Sequence, residues 1–224
     1  MYAIRWRDGS RELPVGKILC VGQNYVAHIE ELNSADAGHP LFFTKPPSSL
    51  VSSPAPIVLP PWTDDVHHEV ELALVIGARS KDLAPEDCDG VIAGYCLALD
   101  LTARDVQSAA KSKGHPWAIA KGFDTACPIS EALDFVSVDD LSDLRLRLWV
   151  DDELRHDGST SMMIYGIRRL LVDASRFMTL DPGDLLLTGT PHGVARLRIG
   201  QQIRADLADG RGTRLEMTFD VTAT

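Results

Sequence analysis

Two glutamates one residue apart, Glu69 and Glu71, sit inside Val66-His67-His68-Glu69-Val70-Glu71-Leu72-Ala73-Leu74-Val75-Ile76-Gly77, a run whose second half is continuously apolar. In a strand, alternate side chains share a face and two residues of rise span about 7 Å, so both carboxylates project the same way from a largely buried element. Neighbouring anions there repel each other and lose hydration. They must be protonated, paired with Arg or Lys, or bound to a cation, and the cation is the most economical of these. A third acid, Asp100, closes the next apolar run, Gly90-Val91-Ile92-Ala93-Gly94-Tyr95-Cys96-Leu97-Ala98-Leu99. Taken alone, each acid reads as an ordinary solvated side chain or cap. Together they form an oxygen-only trio suited to Mg²⁺, Mn²⁺ or Ca²⁺ rather than to zinc, which favours His and Cys. His67 and His68 miss the H-E-x-x-H spacing because position 72 is Leu, which leaves them a structural or supporting role.

Short strands must position these acids. Apolar and alternating runs predict strands over 17–22, 41–44, 57–59, 69–76, 91–99, 144–150, 184–188, 203–207 and 214–221. Asp151-Asp152 suggests a hairpin turn, and Asp209-Gly210-Arg211-Gly212 marks a second. Helices are fewer and are expected over 24–32, 102–111 and 161–178. Thr102-x-x-Asp105 resembles a capping box that would aim a helix N-terminus, with its partial positive charge, toward Asp100. Such a terminus suits an anionic ligand.

Composition narrows the function classes. At 224 residues and 45% hydrophobic, the chain can bury one substantial core. The expected organisation is one domain over 16–224 preceded by an elaboration over 1–15. A formal charge of −10 with no basic stripe argues against nucleic acid. The longest apolar stretch falls well short of the roughly 20 residues of a membrane helix, and the N-terminus lacks an apolar signal core, so no membrane partner is expected. Cys20, Cys88, Cys96 and Cys127 form no C-x-x-C pair and read as free thiols of a cytoplasmic protein. G-x-S-x-G, G-x-x-x-x-G-K-[ST] and G-x-G-x-x-G are all missing, which removes support for a serine hydrolase elbow, a P-loop and a dinucleotide fingerprint.

Five segments then coincide in order: Cys20-Val21-Gly22-Gln23-Asn24-Tyr25, Pro40-Leu41-Phe42-Phe43-Thr44-Lys45-Pro46, His68-Glu69-Val70-Glu71, Asp100-Leu101-Thr102-Ala103-Arg104-Asp105-Val106-Gln107 and Leu187-Thr188-Gly189-Thr190-Pro191-His192-Gly193-Val194. Their content resembles the fumarylacetoacetate hydrolase superfamily, in its small acylpyruvase branch, over nearly the whole chain. The resemblance implies a mainly β (α+β) roll-like fold with a few short helices, working as a homodimer. It also implies a Mg²⁺ or Mn²⁺ ion on Glu69, Glu71 and Asp100, the trio already selected on physical grounds.

By the same resemblance His28 and Glu31 are the catalytic pair. Their spacing puts them on one helix face, where the carboxylate can orient the imidazole; spacing alone fits a solvated amphipathic helix as well. Lys121 matches an active-site lysine. Arg104 and Gln107 are implied to hold the carboxylate and oxo groups of a small oxo-acid substrate, a task that suits the guanidinium fork. Thr190 matches a ligand donor, with turn stabilisation as the competing role. Gln23 stands where many relatives carry Arg, and Ala195 where glycine is frequent, a change expected to touch only turn geometry.

The implied activity is hydrolysis of a C–C bond in an acylpyruvate or fumarylpyruvate-type diketo acid. His28, oriented by Glu31, would deprotonate the attacking water, and the cation and Lys121 would stabilise the pyruvate enolate. Oxaloacetate decarboxylation or keto–enol tautomerisation passes through the same enolate and stands close behind, with isomerisation of a 2-hydroxyhepta-2,4-diene-1,7-dioate-type product third. A non-enzymatic alternative is a metal-stabilised protein that binds oxo acids without turning them over.

Overall fold

The computed structural model describes residues 2–31 and 38–223. Its main body is an eight-stranded sheet, in which Leu41–Lys45, Ile18–Gly22, Leu185–Leu187, Val70–Ile76, Ile92–Leu99, Cys127–Ile129 and Leu50–Ser52 follow one another and Leu133–Asp134 pairs beside Ile92–Leu99. A second sheet of five strands runs Glu153–Ser159, Arg145–Val150, Gln202–Asp209, Gly212–Ala223, Ile57–Leu59. The fold is mainly β with a few short helices. None of the helices among the described residues is long and apolar enough to cross a membrane.

Every residue of Val70–Ile76 is buried, which explains why the run is apolar on both faces rather than alternating. Strand periodicity divides it cleanly. Val70, Leu72, Leu74 and Ile76 join a large cluster with Leu146 and Leu148 of the second sheet and Leu170 and Leu171 of the helix Ile167–Phe177. Ala73 and Val75 join a smaller cluster with Cys20, Cys96, Ala98 and Cys127, closed by Ile4 and Trp6 from the N-terminal segment. Residues 1–15 therefore contribute Ile4, Trp6 and Val15 to this smaller core. All four cysteines are buried and free.

Most predicted strands recur within a residue or two, and the Asp151-Asp152 turn has positive φ at both positions, as a tight hairpin turn requires. The expected strand over 69–76 is found as Val70–Ile76; the preceding Val66–His68 is a separate strand that pairs with Thr102–Ala103 and Ala195–Arg196, and Glu69 sits at the junction. Ala195 is thus a strand residue opposite His68, not merely part of a turn.

Helix expectations need three corrections. The long helix begins at Ile167, not at 161, because residues before it are committed elsewhere: Ile164 N–H donates to the Asn24 carbonyl, Tyr165 N–H donates to Asn24 Oδ1, and Met163 bridges Tyr25. The same clamp delays the first helix to Val26–Glu31, and its expected end at Leu32 lies outside the described residues. The capping box does not form. Thr102 is in a strand pairing with His67 and its hydroxyl donates to the Asp100 carbonyl, while Asp105 accepts from Thr63, so the helix Arg104–Lys113 starts without a side-chain cap.

Candidate metal centre and active site

The register of the two central strands builds the acidic trio. Val70 pairs with Leu99 and Glu71 with Ala98, and one step beyond, Asp100 N–H donates to the Glu69 carbonyl at 2.8 Å. Residues facing each other across an antiparallel ladder share a face, and i, i+2 neighbours share it too. All three carboxylates therefore emerge on the side occupied by Ala73, Cys96 and Ala98. They are buried, with one oxygen from each lying within 4.8 Å of the others.

Cations surround the trio unevenly. Lys121 Nζ donates to Glu69 at 2.9 Å and to Asp100 at 2.6 Å. Arg104 donates to Glu69 through one arm of its fork and to Gln107 at 2.7 Å through the other. Lys45, fully buried, ion-pairs with Asp100 Oδ1 at 2.8 Å and donates to the carbonyls of Leu101, Lys121 and Ala126. Among the described residues, Glu71 receives only the Gly189 N–H, at 2.6 Å.

This asymmetry sets the protonation pattern. Burial opposes ionisation of Glu69, but the charges of Lys121 and Arg104 outweigh it and hold the carboxyl well below its usual range. Burial, followed by repulsion from Asp100, drives Glu71 well above its usual range. For Lys121 burial works against the charge, yet Asp100 and Glu69 raise the ammonium pKa above its ordinary value. A divalent cation fits here on two counts: among the described residues Glu71 forms no ion pair, and the Lys45 contact with Asp100 Oδ1 is an ion pair without hydrogen-bond geometry, leaving that buried oxygen no hydrogen-bond donor there. The donor set is all oxygen, as Mg²⁺ and Mn²⁺ require.

A cleft opens over the trio, lined also by Gln23, His28, Phe43, Arg104, Gln107, Lys111, Trp117, Lys121 and Thr190. His28 is buried rather than solvated, and its Nδ1 lies 3.4 Å from Glu31 Oε2, so Nε2 is the nitrogen not engaged by Glu31. Glu31 is held in turn by the Gly193 N–H at 3.0 Å. Arg104 Nε is buried in the cleft wall without a hydrogen-bond partner, an open donor of the kind an anionic ligand satisfies. Thr190 combines both of its expected roles: it lines the cleft, and its hydroxyl donates to the Pro191 carbonyl at 3.3 Å. Gln23 lines the same cleft in a left-handed conformation, φ 60°.

Residues 17–219 match the family described as fumarylacetoacetate (FAA) hydrolase C-terminal. The chain belongs to the fumarylacetoacetate hydrolase family. It is 45% identical over 205 residues to the mitochondrial oxaloacetate tautomerase FAHD1 of Arabidopsis thaliana, covering 92% of this chain and 90% of that protein. It is 42% identical over 206 residues to the mitochondrial oxaloacetate decarboxylase of Dictyostelium discoideum, covering 92% and 93%. The fold superposes with a TM-score of 0.91 on the crystal structure of fumarylpyruvate hydrolase from Pseudomonas aeruginosa in complex with Mn²⁺ and pyruvate, at 31% identity over 99% of this chain and 96% of that one.

Within this fumarylacetoacetate hydrolase-family site, Lys45 and Gly189 are contributors to which the sequence assigned no role. Lys45 ends the apolar stretch Leu41-Phe42-Phe43-Thr44, and a lysine closing such a run was the available signal. Gly189 acts through its backbone, which no side-chain pattern reveals. His156 lies in Arg155-His156-Asp157, amid other polar residues, where nothing marks it as buried. His67, by contrast, takes a local place, 2.9 Å from Asp65.

Proposed function

We propose that this family member is a divalent-metal-dependent enzyme of small dicarboxylic 2-oxo acids, with keto–enol tautomerisation or decarboxylation of oxaloacetate as its leading activity. The observation that carries this reading is the convergence of Glu69, Glu71 and Asp100 beneath His28, Arg104 and Lys121 in one cleft. The curated relatives named above for oxaloacetate chemistry support the choice of substrate. Charge supports it too. Three carboxylates (Glu69, Glu71, Asp100) face three cations (Lys45, Arg104, Lys121), so a divalent ion leaves an excess of two positive charges that a dianionic ligand balances.

Mg²⁺ or Mn²⁺ held by Glu69, Glu71 and Asp100 would supply Lewis acidity toward the 2-oxo carboxylate. The chain's own residues do the rest. Arg104 and Gln107 anchor the ligand's carboxylate and oxo oxygens. Lys121, charged and fixed between two acids, stabilises negative charge growing on the oxo oxygen as the enolate forms. His28 moves the proton at C3 through Nε2, and Glu31 on Nδ1 steadies the imidazolium.

A second reading is C–C hydrolysis of an acylpyruvate or fumarylpyruvate. The His28–Glu31 pair favours it, since a carboxylate-backed imidazole is suited to deprotonating water, and the similarity to a fumarylpyruvate hydrolase supports it. We also read the working form as a homodimer, because among the described residues Leu41–Lys45 is the edge of its sheet and its Phe42 packs at 6.3 Å on the largely exposed Phe177; size-exclusion chromatography at the monomer mass would reject this.

The deciding experiment is a turnover panel of oxaloacetate, acetylpyruvate and fumarylpyruvate, each with Mg²⁺, Mn²⁺ and chelator, with enol loss, CO₂ and pyruvate quantified separately. Metal-dependent enol loss or CO₂ release supports the leading reading, and metal-dependent acid plus pyruvate the second. Turnover of none of the three would overturn both.

A further inference from the structure

The turn from Gly189 to Gly193 touches both halves of the site. Its first residue donates an N–H to Glu71 at 2.6 Å, and its fifth donates one to Glu31 at 3.0 Å. Its middle residue, Pro191, has no N–H of its own, and its carbonyl lies 3.2 Å from Nδ1 of the buried His156. Carbonyls lie near both ring nitrogens, the Pro191 oxygen 3.2 Å from Nδ1 and the His68 oxygen 3.4 Å from Nε2; since a carbonyl only accepts, the shorter contact puts the proton on Nδ1. His156 Nε2 is then an acceptor, and His68 Nδ1, 2.9 Å away, donates to it.

Packing shows that the turn is pressed onto the strand bearing His156. A Cβ on Gly158 would collide with the Pro191 ring, and one on Gly193, at φ 113°, would collide with the Arg155 carbonyl. Those two glycines let the backbones close to a distance at which the imidazole reaches Pro191.

We infer that the His68–His156 pair is a positioning device: it fixes the Gly189–Gly193 turn so that Gly193 N–H holds Glu31 and thereby orients His28. The inference rests on the reading of His28 and Glu31 as the base pair. Neither histidine is among the residues that line the cleft over the acids. The relay runs His68 to His156 to Pro191, then through the turn to Gly193, Glu31 and His28, whose last contact is 3.4 Å.

The test compares His156→Leu, His156→Asn and His156→Gln with Glu31→Ala in the full-length, Mg²⁺-loaded protein. Hydrogen exchange of the Gly193 amide, referenced to amides of the strand Val70–Ile76, requires no substrate. Gly193 should lose protection in His156→Leu and Glu31→Ala but keep it in His156→Gln, whose amide offers one donor and one acceptor at similar reach. His156→Asn, one methylene shorter, should fall between, and it replaces His156→Leu should that variant not fold. In turnover, kcat should drop by roughly 10- to 10²-fold in His156→Leu with KM and Mg²⁺ affinity nearly unchanged, and His156→Gln should recover it. Adding His156→Leu to Glu31→Ala should cost nothing more. Unchanged Gly193 exchange and kcat in the Leu variant, or losses that multiply in the double variant, would overturn the inference. Wild-type kcat in Glu31→Ala would instead refute the base-pair reading, and the Gly193 exchange data would still judge the positioning role.

Discussion

Asp100 stands directly across the antiparallel ladder from Glu69, its N–H donating to the Glu69 carbonyl at 2.8 Å while Lys121 spans both carboxylates at 2.6 and 2.9 Å. Each of these prospective metal ligands therefore sits one residue beyond a paired strand, Glu69 before Val70–Ile76 and Asp100 after Ile92–Leu99. Rigid elements keep ligand geometry tighter than loops can.

Glu71 is the acid whose charge the metal-free protein resists. Its carboxyl lies well above the usual 4.5. The folded state thus binds a proton more tightly than the unfolded chain, and stability of the metal-free protein falls as pH rises from about 4.5 through the raised value. Mg²⁺ should displace that proton, so its stabilising shift in Tm grows with pH over the same window. Calorimetry in two buffers of different ionisation enthalpy should register proton release on Mg²⁺ binding. Glu71→Gln, isosteric but unable to ionise, should lose that release along with most Mg²⁺ affinity and activity.

His28→Ala should slow turnover by roughly 10²-fold or more, the size of a general-base contribution, while Mg²⁺ affinity stays near wild type. Steady-state kinetics paired with metal titration checks this. Loss of metal binding together with turnover would assign His28 to the wrong half of the site.

Lys45→Met should destabilise the protein by about 3–5 kcal/mol, because it strands Asp100 and three buried carbonyls that the ammonium now serves. Denaturant unfolding without metal measures it. A cost under about 1 kcal/mol would show that the neighbouring Lys121 takes over the Asp100 charge.

Arg104→Lys should raise KM by an order of magnitude or more, since an ammonium cannot serve Glu69, Gln107 and a ligand carboxylate from one planar fork. The measurement is kcat and KM for oxaloacetate at saturating Mg²⁺. An unchanged KM would remove Arg104 from ligand binding and leave it as a partner of Glu69 alone.

Much of the fold was legible because strand signals are local. The apolar run over Leu72 to Ile76 and the Asp-Asp turn carry their own evidence in residue order. The helix boundaries at 161 and 24 misled because Asn24 pairs with residues 164 and 165, a contact 140 residues distant that removes both segments from helical geometry. The capping pattern at Thr102 failed for the same reason: the Thr102–Ala103 backbone pairs with Val66 and His67.

By itself, the sequence determined which residues would share a face, since E-x-E in a strand and an Asp ending its neighbour follow from a period of two. It also determined the chemistry of the donor set, which depends on residue type alone. Only the tertiary structure decided which cations meet which acids. Lys45, Lys121 and Arg104 lie on three separate segments, and long-range packing put all three on Glu69 and Asp100 while leaving Glu71, among the described residues, only a backbone N–H. The same packing drew His68 and His156, 88 positions apart, into one buried pair, because burial and partner choice are properties of the assembled sheets and are not encoded in any local spacing.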